Sequence, residues 1–455
     1  MTEQSANAVF LHLPRPARAG EGTETADGWG RLERAFARHG EAEAFYIHAL
    51  AKAHFDAGCA EILGPGGDHR PCRWVPPGGL GGDGVPPTLL LPGAALAPFA
   101  WRRQAGGRTR AYSLVGVLDS LAEPAVFDDA AGFAGAPIEP WDAVVCPSGA
   151  AEAAFRRLVE ETWSPFAARI GAIARPEVPT RIIPFGVDCG EFAETSETRA
   201  IRARVRRGLG IGDDDLALLL FGRFDYRDGR HPIAAYLAAE EAAKRTNRRC
   251  FLIHAGRFPS AEIEREYRDA ARVLAPATRC IFLDGDEPAV RGNVWFAADI
   301  FVALHDGVRE MADASVVTAM ASGLPVVASD WGGLREAVRD GVEGFLAPTW
   351  LPEPGQGSDL ALAPELDLVP EARAQAFAQQ NGIVSQVTAV DVRAAAEALA
   401  ALASDADKRR AFGEAARKRA REVFDWKTIV AQHRALWGDL AELRAAPSYS
   451  PSPPD

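Results

Sequence analysis

The sequence predicts an α/β fold built from two doubly wound domains, and three observations support this prediction. Short apolar runs recur along the chain without polar alternation, as is typical of parallel strands covered on both faces. Amphipathic stretches of helical length lie between these runs, and strand–helix alternation favours a doubly wound sheet. The alternation pauses near Pro184–Phe192 and restarts at Leu216–Phe221. A chain of 455 residues also has room for more than one domain, at about 100–200 residues each.

The individual elements follow from the same pattern. Residues 64–87 contain 14 Gly or Pro out of 24, a density that excludes a helix or a central strand and predicts a long loop. The Ala- and Arg-rich stretch Asp391–Arg421 is predicted to be helical. The predicted strands are Thr88–Leu91, Tyr112–Leu118, Ala143–Cys146, Arg181–Pro184, Leu216–Phe221, Cys250–Ala255, Ile281–Leu283, Ile300–Leu304 and Pro325–Ser329. The predicted helices include Ile233–Lys244, Ser260–Val273, Ser315–Ala321 and Leu334–Val338.

These elements divide the chain into two domains and a C-terminal extension. We place the domain junction near residue 190, which gives domains of residues 1–190 and 191–423. Residues 424–446 carry apolar side chains at helical spacing, and this stripe predicts a helix that packs on a domain surface. The last segment, residues 447–455, is rich in Pro and Ser and is predicted to be disordered.

Composition excludes several classes of function. The chain has 50 Lys and Arg against 62 Asp and Glu, a formal charge of −12, which argues against a nucleic-acid partner or a polybasic membrane anchor. Six scattered cysteines without a C-x-x-C pair show neither zinc spacing nor a redox motif. No signal-peptide pattern and no apolar stretch of about 18 residues is visible. The sequence therefore favours a cytoplasmic, soluble protein with reduced thiols.

The stretch 299–349 is the richest in chemistry. A predicted strand ends at Leu304, and the loop 305–310 that follows contains His, Asp, Arg and Glu. The next strand ends before Asp330, and Gly332-Gly333 allows a helix to begin with free amides. Parallel sheets bind ligands at the carboxyl ends of their strands, and helix N-termini there favour phosphate. Ordinary tight connections between strands and helices are the alternative interpretation.

A second candidate lies at the end of the first strand of the second domain. Gly222 follows a buried strand, and Arg223 comes at its carboxyl edge. An Arg at this position can clamp a diphosphate with its two-pronged guanidinium. An Arg that caps the strand end for structural reasons is an equally consistent interpretation.

Taken together, these stretches resemble the retaining glycosyltransferases of family 4, which have the two-domain GT-B fold. The resemblance extends over roughly residues 85–440 and depends on the combination of motifs. The matching segments are Ile183–Asp188 with the family's I-P-x-G-V-D, Gly222–Phe224 with G-R-F, Ala319–Asp330 with A-M-A-x-G-x-P-V-V-x-S-D, and Asp340–Leu346 with D-G-V-x-G-F-L.

The resemblance implies a transferase that moves a hexose or similar sugar from a nucleotide-sugar to an acceptor, with retention of anomeric configuration. Two Rossmann-like domains would face a cleft, the second binding the donor and the first the acceptor. The helix within residues 424–446 would cross back to the first domain. Neither a metal nor another cofactor is expected, because Arg side chains and helix N-termini can neutralise the diphosphate.

The same resemblance implies roles for individual residues. Glu310 and Asp119 would be the catalytic residues beside the donor sugar. Gly222, Arg223 and Arg230 would bind the diphosphate, and Thr318 would contact the ribose.

Several of these positions depart from the family pattern. Thr318 stands where the family has a Glu, Asp119 where it has a His, and Gly229, next to Arg230, where it has a Lys. Ala312-Asp313 replaces Phe-Gly, and the Gly-rich N-terminal loop has only the candidate residues 27–31.

Two hypotheses stay open: an active transferase with a modified donor site, or a catalytically degenerate GT-B scaffold that binds or regulates an active transferase. The sequence does not determine the donor's sugar, its nucleotide or the oligomeric state. It also leaves open whether the acceptor is a saccharide, lipid-linked or protein molecule, and whether the protein makes peripheral membrane contact.

Overall fold

The computed structural model describes residues 7–12, 28–64, 70–121, 125–171, 176–226, 230–307, 313–351, 353 and 381–447. The chain divides into two compact units. The first unit joins Met1–Phe185 to Trp426–Asp455, and the second is Gly186–Asp425. The first boundary therefore lies a few residues before the predicted junction near residue 190. Most of the predicted tail, residues 448–455, lies outside the described residues.

Strands and helices alternate along most of the described chain. The strands are β1 Val9–Leu11, β2 Phe45–His48, β3 Cys72–Val75, β4 Thr88–Pro92, β5 Ser113–Val117, β6 Ala143–Cys146, β7 Thr180–Ile182, β8 Leu216–Arg223, β9 Cys250–Arg257, β10 Thr278–Asp284, β11 Ile300–Ala303, β12 Val326–Ser329, β13 Gly344–Ala347, β14 Thr349–Trp350 and β15 Ala389–Val390. The helices are α1 Gly28–His39, α2 Lys52–Leu63, α3 Ala97–Ala105, α4 Ala125–Gly132, α5 Gly149–Ile170, α6 Ser196–Leu209, α7 Ile233–Thr246, α8 Ala261–Leu274, α9 Pro288–Ala297, α10 Ala314–Ala321, α11 Leu334–Ala337, α12 Val392–Ser404, α13 Ala406–Arg419 and α14 Trp426–Ala445. Each predicted strand overlaps an observed one.

The first unit contains a parallel sheet in the order β3-β2-β1-β4-β5-β6-β7. Strand order reverses between β1 and β4, as in a doubly wound fold. The Gly- and Pro-rich stretch 64–87, predicted to be a loop, contains one strand, β3. This strand lies at the sheet edge, and Pro71 and Pro76 flank it, so neither Pro interrupts the ladder. That prediction was wrong for four residues because a short edge strand tolerates such neighbours.

Helix α14 is part of the first unit although it ends the described chain. Its apolar stripe is buried with α1 and the sheet, and Trp437 stacks on Phe36 at 5.1 Å between ring centroids. Near its end, Arg444 donates to the Pro87 carbonyl at 2.8 Å and to the Ser113 hydroxyl at 2.7 Å. Arg110 donates to the carbonyl of Arg444 in the last turn and to that of Ala446, just beyond the helix. These hydrogen bonds and the shared core attach α14 to the sheet.

The second unit has a six-stranded sheet in the order β10-β9-β8-β11-β12-β13, parallel throughout. Alternate residues of β8 enter opposite core clusters: Leu216 and Leu218 join one, and Ala217 and Leu219 join the other. Because helices cover both faces, the strands show no polar alternation. The order reverses between β8 and β11, so both units confirm the predicted doubly wound α/β class.

The stretch Asp391–Arg421, predicted to be helical, consists mainly of two helices. Asp405 separates α12 from α13, and its carboxylate accepts the Lys408 N–H at 2.9 Å. An Asp in this position caps the second helix. A single-turn π-helix, Ala420–Phe424, follows before α14. None of the helices in the described residues is long and apolar enough to cross a membrane.

A buried ion pair joins three elements of the first unit. Arg103 on α3 donates to both carboxylate oxygens of Asp142, at 2.7 and 2.6 Å, and the two side chains are 1% and 0% exposed. Asp142 also accepts the N–H groups of Leu114 and Glu139 at 2.8 Å each. The carboxylate therefore holds α3, β5 and the turn before β6 together.

Asp142→Asn is expected to lower the free energy of unfolding by about 3–5 kcal/mol, because it leaves the Arg103 charge buried without its counterion. Urea titrations followed by circular dichroism measure this change. The matched control is Glu161→Gln, since Glu161 is exposed and its ion pair with Arg157 spans 3.5 Å at the surface. That control should change stability by less than about 1 kcal/mol. Equal effects of the two variants would contradict the prediction.

Candidate functional site

A group of polar side chains lies at the carboxyl edge of the second sheet, where β8 and β11 adjoin. Chain connections leave these two strands in opposite directions, and doubly wound sheets bind ligands at such a reversal. Gly222 and Arg223 end β8, and His305 and Asp306 follow β11. The fold thus brings the two sequence candidates, Gly222-Arg223 and the loop after Leu304, to one edge.

Gly222 has no room for a side chain. Its φ of 132° disfavours other residues, and a Cβ would lie 2.4 Å from Nη1 of Arg230. Gly256, at the same level of β9, is equally constrained, because a Cβ there would lie 1.8 Å from the Gly222 carbonyl oxygen. Arg230 therefore occupies the side-chain space at Gly222, and the neighbouring strand occupies that at Gly256.

Arg230 is held above the end of β8 by contacts to both of its terminal nitrogens. Nη1 donates to the Phe221 carbonyl at 3.1 Å, and Nη2 lies 3.6 Å from Oδ2 of Asp313. The Arg230 carbonyl accepts the hydroxyl of Tyr267. Arg223 is exposed at the same edge, in register with Arg257 of β9. The guanidinium groups of Arg223 and Arg230 therefore both lie at this edge, and that of Arg230 is paired with Asp313.

Asp313 is the buried anion that organises this group. Its carboxylate caps α10 by accepting the Ser315 N–H at 2.7 Å, and Oδ2 lies 3.5 Å from Nδ1 of His305. Burial alone raises the pKa of a carboxyl, but Arg230, His305 and Ser315 outweigh it and hold the pKa of Asp313 below its ordinary value. Sequence reasoning noted Asp313 only as a departure from the family pattern. The available signal was an Asp directly before a predicted helix, a typical N-cap.

Asp306, the neighbouring carboxyl, shifts in the opposite direction. It is buried, accepts the His231 N–H at 3.3 Å, and burial raises its pKa to about 6. The site therefore contains one carboxyl that stays ionised and one that titrates near neutral pH. Such divergent acids are typical of functional sites, although ion-pair networks produce them too.

Thr318 and Glu310 are the other two predicted site residues of the second unit. Thr318 lies on α10, is 9% exposed, and donates its hydroxyl proton to the Ala314 carbonyl at 2.8 Å. Its oxygen keeps lone pairs that can accept a hydrogen bond. Glu310 and Gly229 both lie outside the described residues, in the ranges 308–312 and 227–229.

Asp119 lies in the first unit, in the exposed loop after β5. Its Oδ2 accepts the Gly28 N–H at 3.2 Å, and a Cβ at Gly28 would come within 2.4 Å of Oδ1. Gly28 is the first residue of α1, where the helix dipole favours a negative charge. The structure thus joins Asp119 to the candidate residues 27–31. The prediction of a loop was wrong for residues 28–31, which form the first turn of α1.

The described residues contain no group of three or more His, Cys, Asp or Glu side chains arranged to hold a metal ion. The charge at the β8 edge comes instead from guanidinium groups. This edge can accommodate an anionic group against Arg223 and Arg230.

Comparison with known proteins relates this edge to a family. Residues 216–354 match the model of the family "Glycosyl transferases group 1". The chain is 33% identical to the D-inositol 3-phosphate glycosyltransferase of Geodermatophilus obscurus over 170 residues, which is 37% of this chain and 36% of that protein. It is 31% identical to the phosphatidyl-myo-inositol mannosyltransferase of Mycolicibacterium smegmatis over 173 residues, 36% of this chain and 38% of that protein. The chain thus spans under half the length of these curated relatives.

Solved structures share the fold over nearly the whole chain. Anabaena HepE in complex with UDP-glucose has a TM-score of 0.53 at 17% identity, covering 94% of this chain and 97% of that one. Sucrose-phosphate synthase from Thermosynechococcus elongatus has a TM-score of 0.56 at 19% identity, covering 96% and 99%. These likenesses confirm the predicted GT-B class of two Rossmann-like domains. The group 1 match falls on the residues that form the β8 edge, from Gly222 to Asp313.

Asp306→Asn should remove the part of the pH dependence of stability that comes from the titration of Asp306. A pKa raised to about 6 means that the folded state binds this proton more tightly than the unfolded chain, whose Asp titrates near 3.9. The free energy of unfolding of the wild type, minus that of Asp306→Asn, should therefore fall by about 2–3 kcal/mol as pH rises from 4 to 7. Urea unfolding at several pH values measures this difference. A difference that stays flat, or rises with pH, would contradict the assigned shift.

Proposed function

We propose that this protein transfers a sugar from a nucleotide-sugar donor to an acceptor, with retention of anomeric configuration. The match of residues 216–354 to the group 1 glycosyltransferases carries the proposal, because that segment forms the Arg-bearing edge of the second sheet. The relatives named above are transferases, so they lend no support to a degenerate scaffold.

In this proposal, Arg223 and Arg230 bind the donor diphosphate. Nη1 of Arg230 donates to the Phe221 carbonyl, and Nη2 lies 3.6 Å from the Asp313 carboxylate. The guanidinium has further N–H groups that can donate to phosphate oxygens. Gly222 leaves room at the strand end for the Arg230 guanidinium, whose Nη1 lies where a side chain at position 222 would begin. The two guanidinium groups replace a metal as the source of positive charge, so no metal is required.

The remaining predicted residues act on the sugar and the ribose. Thr318 accepts a hydrogen bond from a ribose hydroxyl, since its own proton is used on Ala314. Glu310 orients the donor sugar, and Asp119 accepts a hydrogen bond from a sugar hydroxyl while α1 stabilises its charge. All six cysteines are free, which agrees with the proposed cytoplasmic setting. The acceptor is a saccharide, lipid-linked or protein molecule.

Isothermal calorimetry with UDP, GDP and ADP tests the donor site. At least one nucleoside diphosphate should bind, and Arg230→Ala or Arg223→Ala should weaken it about 10- to 100-fold, because each removes a charged hydrogen bond of about 1.5–3 kcal/mol. Thr318→Val should weaken it about fivefold, through one neutral hydrogen bond. The control is Arg245→Ala, whose exposed guanidinium pairs with Glu241 at 2.8 Å on α7. Absence of binding by any of the three nucleotides, in folded protein, would refute the proposal.

Turnover distinguishes a transferase from a binding scaffold. With the matching nucleotide-sugar and a mixture of candidate acceptors, the protein should release nucleoside diphosphate, and proton NMR of the product should show the donor's anomeric configuration. A product of inverted configuration would refute the proposed retention and leave the proposed sugar transfer standing. Tight nucleotide binding with no release under any acceptor would favour the scaffold.

A further inference from the structure

The loop after β12 contains a tryptophan that contacts the loop after β11. Nε1 of Trp331 donates to the Gly307 carbonyl at 2.8 Å. β11 and β12 are neighbouring parallel strands, with Ala303 opposite Ala328, so the loops that follow them leave the sheet at the same carboxyl edge. This hydrogen bond therefore joins two connections at the edge that holds Arg230.

Backbone hydrogen bonds fix Trp331 on its own side of this contact. Its N–H donates to the Ser329 carbonyl at 2.9 Å, and its carbonyl accepts the Leu334 N–H at 3.0 Å. The preceding residue, Asp330, donates its N–H to the Ala347 carbonyl at the end of β13, at 2.7 Å. These bonds attach the loop to β12, to β13 and to α11, so the indole extends from a backbone that is held in place.

Burial in a core does not account for this tryptophan. Its side chain is half-buried, and the apolar clusters that the described residues form in the second unit do not include it. Trp295, another tryptophan of this unit, differs in this respect. It is 3% exposed, belongs to one of these clusters and packs against Phe221 and Phe301. The hydrogen bond to Gly307 is thus the specific contact that an indole makes at position 331.

Gly307 begins the connection that carries Glu310, and Asp313 ends it. Asp313 caps α10 and lies 3.6 Å from Nη2 of Arg230. Gly307 accepts the indole N–H of Trp331. Other parts of the same edge therefore hold both ends of this connection, the loop after β8 at one end and the loop after β12 at the other.

We propose that Trp331 is a positioning residue for Glu310 and acts through the carbonyl of Gly307. This inference rests on the proposed function, in which Glu310 orients the donor sugar. Misplacing an orienting group by about 1 Å can cost about 100-fold in rate, so a hydrogen bond that fixes the start of its connection affects turnover. Nucleotide affinity does not depend on it, because Arg223 and Arg230 bind the diphosphate in that proposal.

Two substitutions separate the N–H of Trp331 from its ring. Trp331→Phe keeps an aromatic ring and removes the donor. Trp331→His keeps a ring N–H, since Nε2 of His is the same number of bonds from Cβ as Nε1 of Trp. Release of nucleoside diphosphate from the nucleotide-sugar is measured at about pH 8, where the His is neutral. It should fall about 10- to 100-fold in Trp331→Phe and less than about threefold in Trp331→His.

Two further measurements distinguish positioning from a loss of stability. Calorimetry should show that nucleoside diphosphate affinity changes less than about twofold in either variant, with circular dichroism confirming the fold. The matched control is Trp141→Phe, which removes an indole N–H bond to the Thr109 carbonyl, at 3.2 Å, in the first unit. That control should leave turnover unchanged.

A double-mutant cycle with Glu310→Gln tests the path of the effect. If Trp331 acts through Glu310, Trp331→Phe should lower turnover less than about threefold once Glu310 has been replaced. A role in stability alone would give the same factor in both backgrounds.

Four results would each overturn the inference. They are wild-type turnover in Trp331→Phe, an equal loss in Trp331→His, a parallel loss of nucleotide affinity, or losses from Trp331→Phe and Glu310→Gln that simply multiply. With an active wild type, these results leave the proposed sugar transfer standing. A wild type that releases no nucleoside diphosphate would refute the proposed function, and this inference with it.

Discussion

The carboxylate of Asp313 is the interaction on which the second unit's site depends. It caps α10, and the same group faces Arg230 from the loop after β8 and His305 from the loop after β11. The loop after β8 and both ends of the connection between β11 and α10 thus converge on one buried charge. An ionised, paired carboxyl in this position is costly to desolvate, and it is retained only if the surrounding donors keep their geometry. The position of Arg230, and with it the shape of the β8 edge, follows from this constraint.

The backbone constraint at Gly222 and Gly256 complements this charge. The guanidinium of Arg230 occupies the volume that a side chain at position 222 would need, and the Gly222 carbonyl occupies that of a side chain at 256. Removing two Cβ atoms lets a cation lie directly on the end of a strand. The first unit has a similar arrangement, in which Asp119 accepts the N–H of Gly28 because Gly28 has no side chain in the way. In both units, the missing side chain of a glycine leaves space for a charged group at the carboxyl ends of the strands.

Apolar runs made most of the fold predictable from the sequence. The elements that were not predicted lack such a run or a change in composition, for physical reasons. Strands such as β8 and β6 are buried on both faces, so they are visible as uninterrupted apolar residues. β1 has only three residues, and β3 is bounded by Pro at the sheet edge, so neither produces a recognisable run. The break at Asp405 was missed because Ala-rich helices on both sides share one composition.

The candidate site was predictable in part for similar reasons. Gly222 and Arg230 belong to a local motif, and the fold brings them into contact. The role of Asp313 depends on Arg230, which lies more than 80 residues earlier in the loop after β8, and no local sequence pattern encodes this contact. The proton that Thr318 donates to Ala314 is likewise set by helix geometry, four residues back, and only coordinates reveal that this hydroxyl is already engaged.

The place of α14 in the first unit has a consequence for biosynthesis. The ribosome delivers residues 7–185 before the second unit, yet the core around Phe36 lacks Trp437 until α14 has been made. The second unit, by contrast, is a continuous segment that can fold before α14 is synthesised. One apolar face of the first sheet is therefore covered only by α1 while the 240 residues of the second unit are synthesised. The unit that comes earlier in the sequence is completed after the one that follows it.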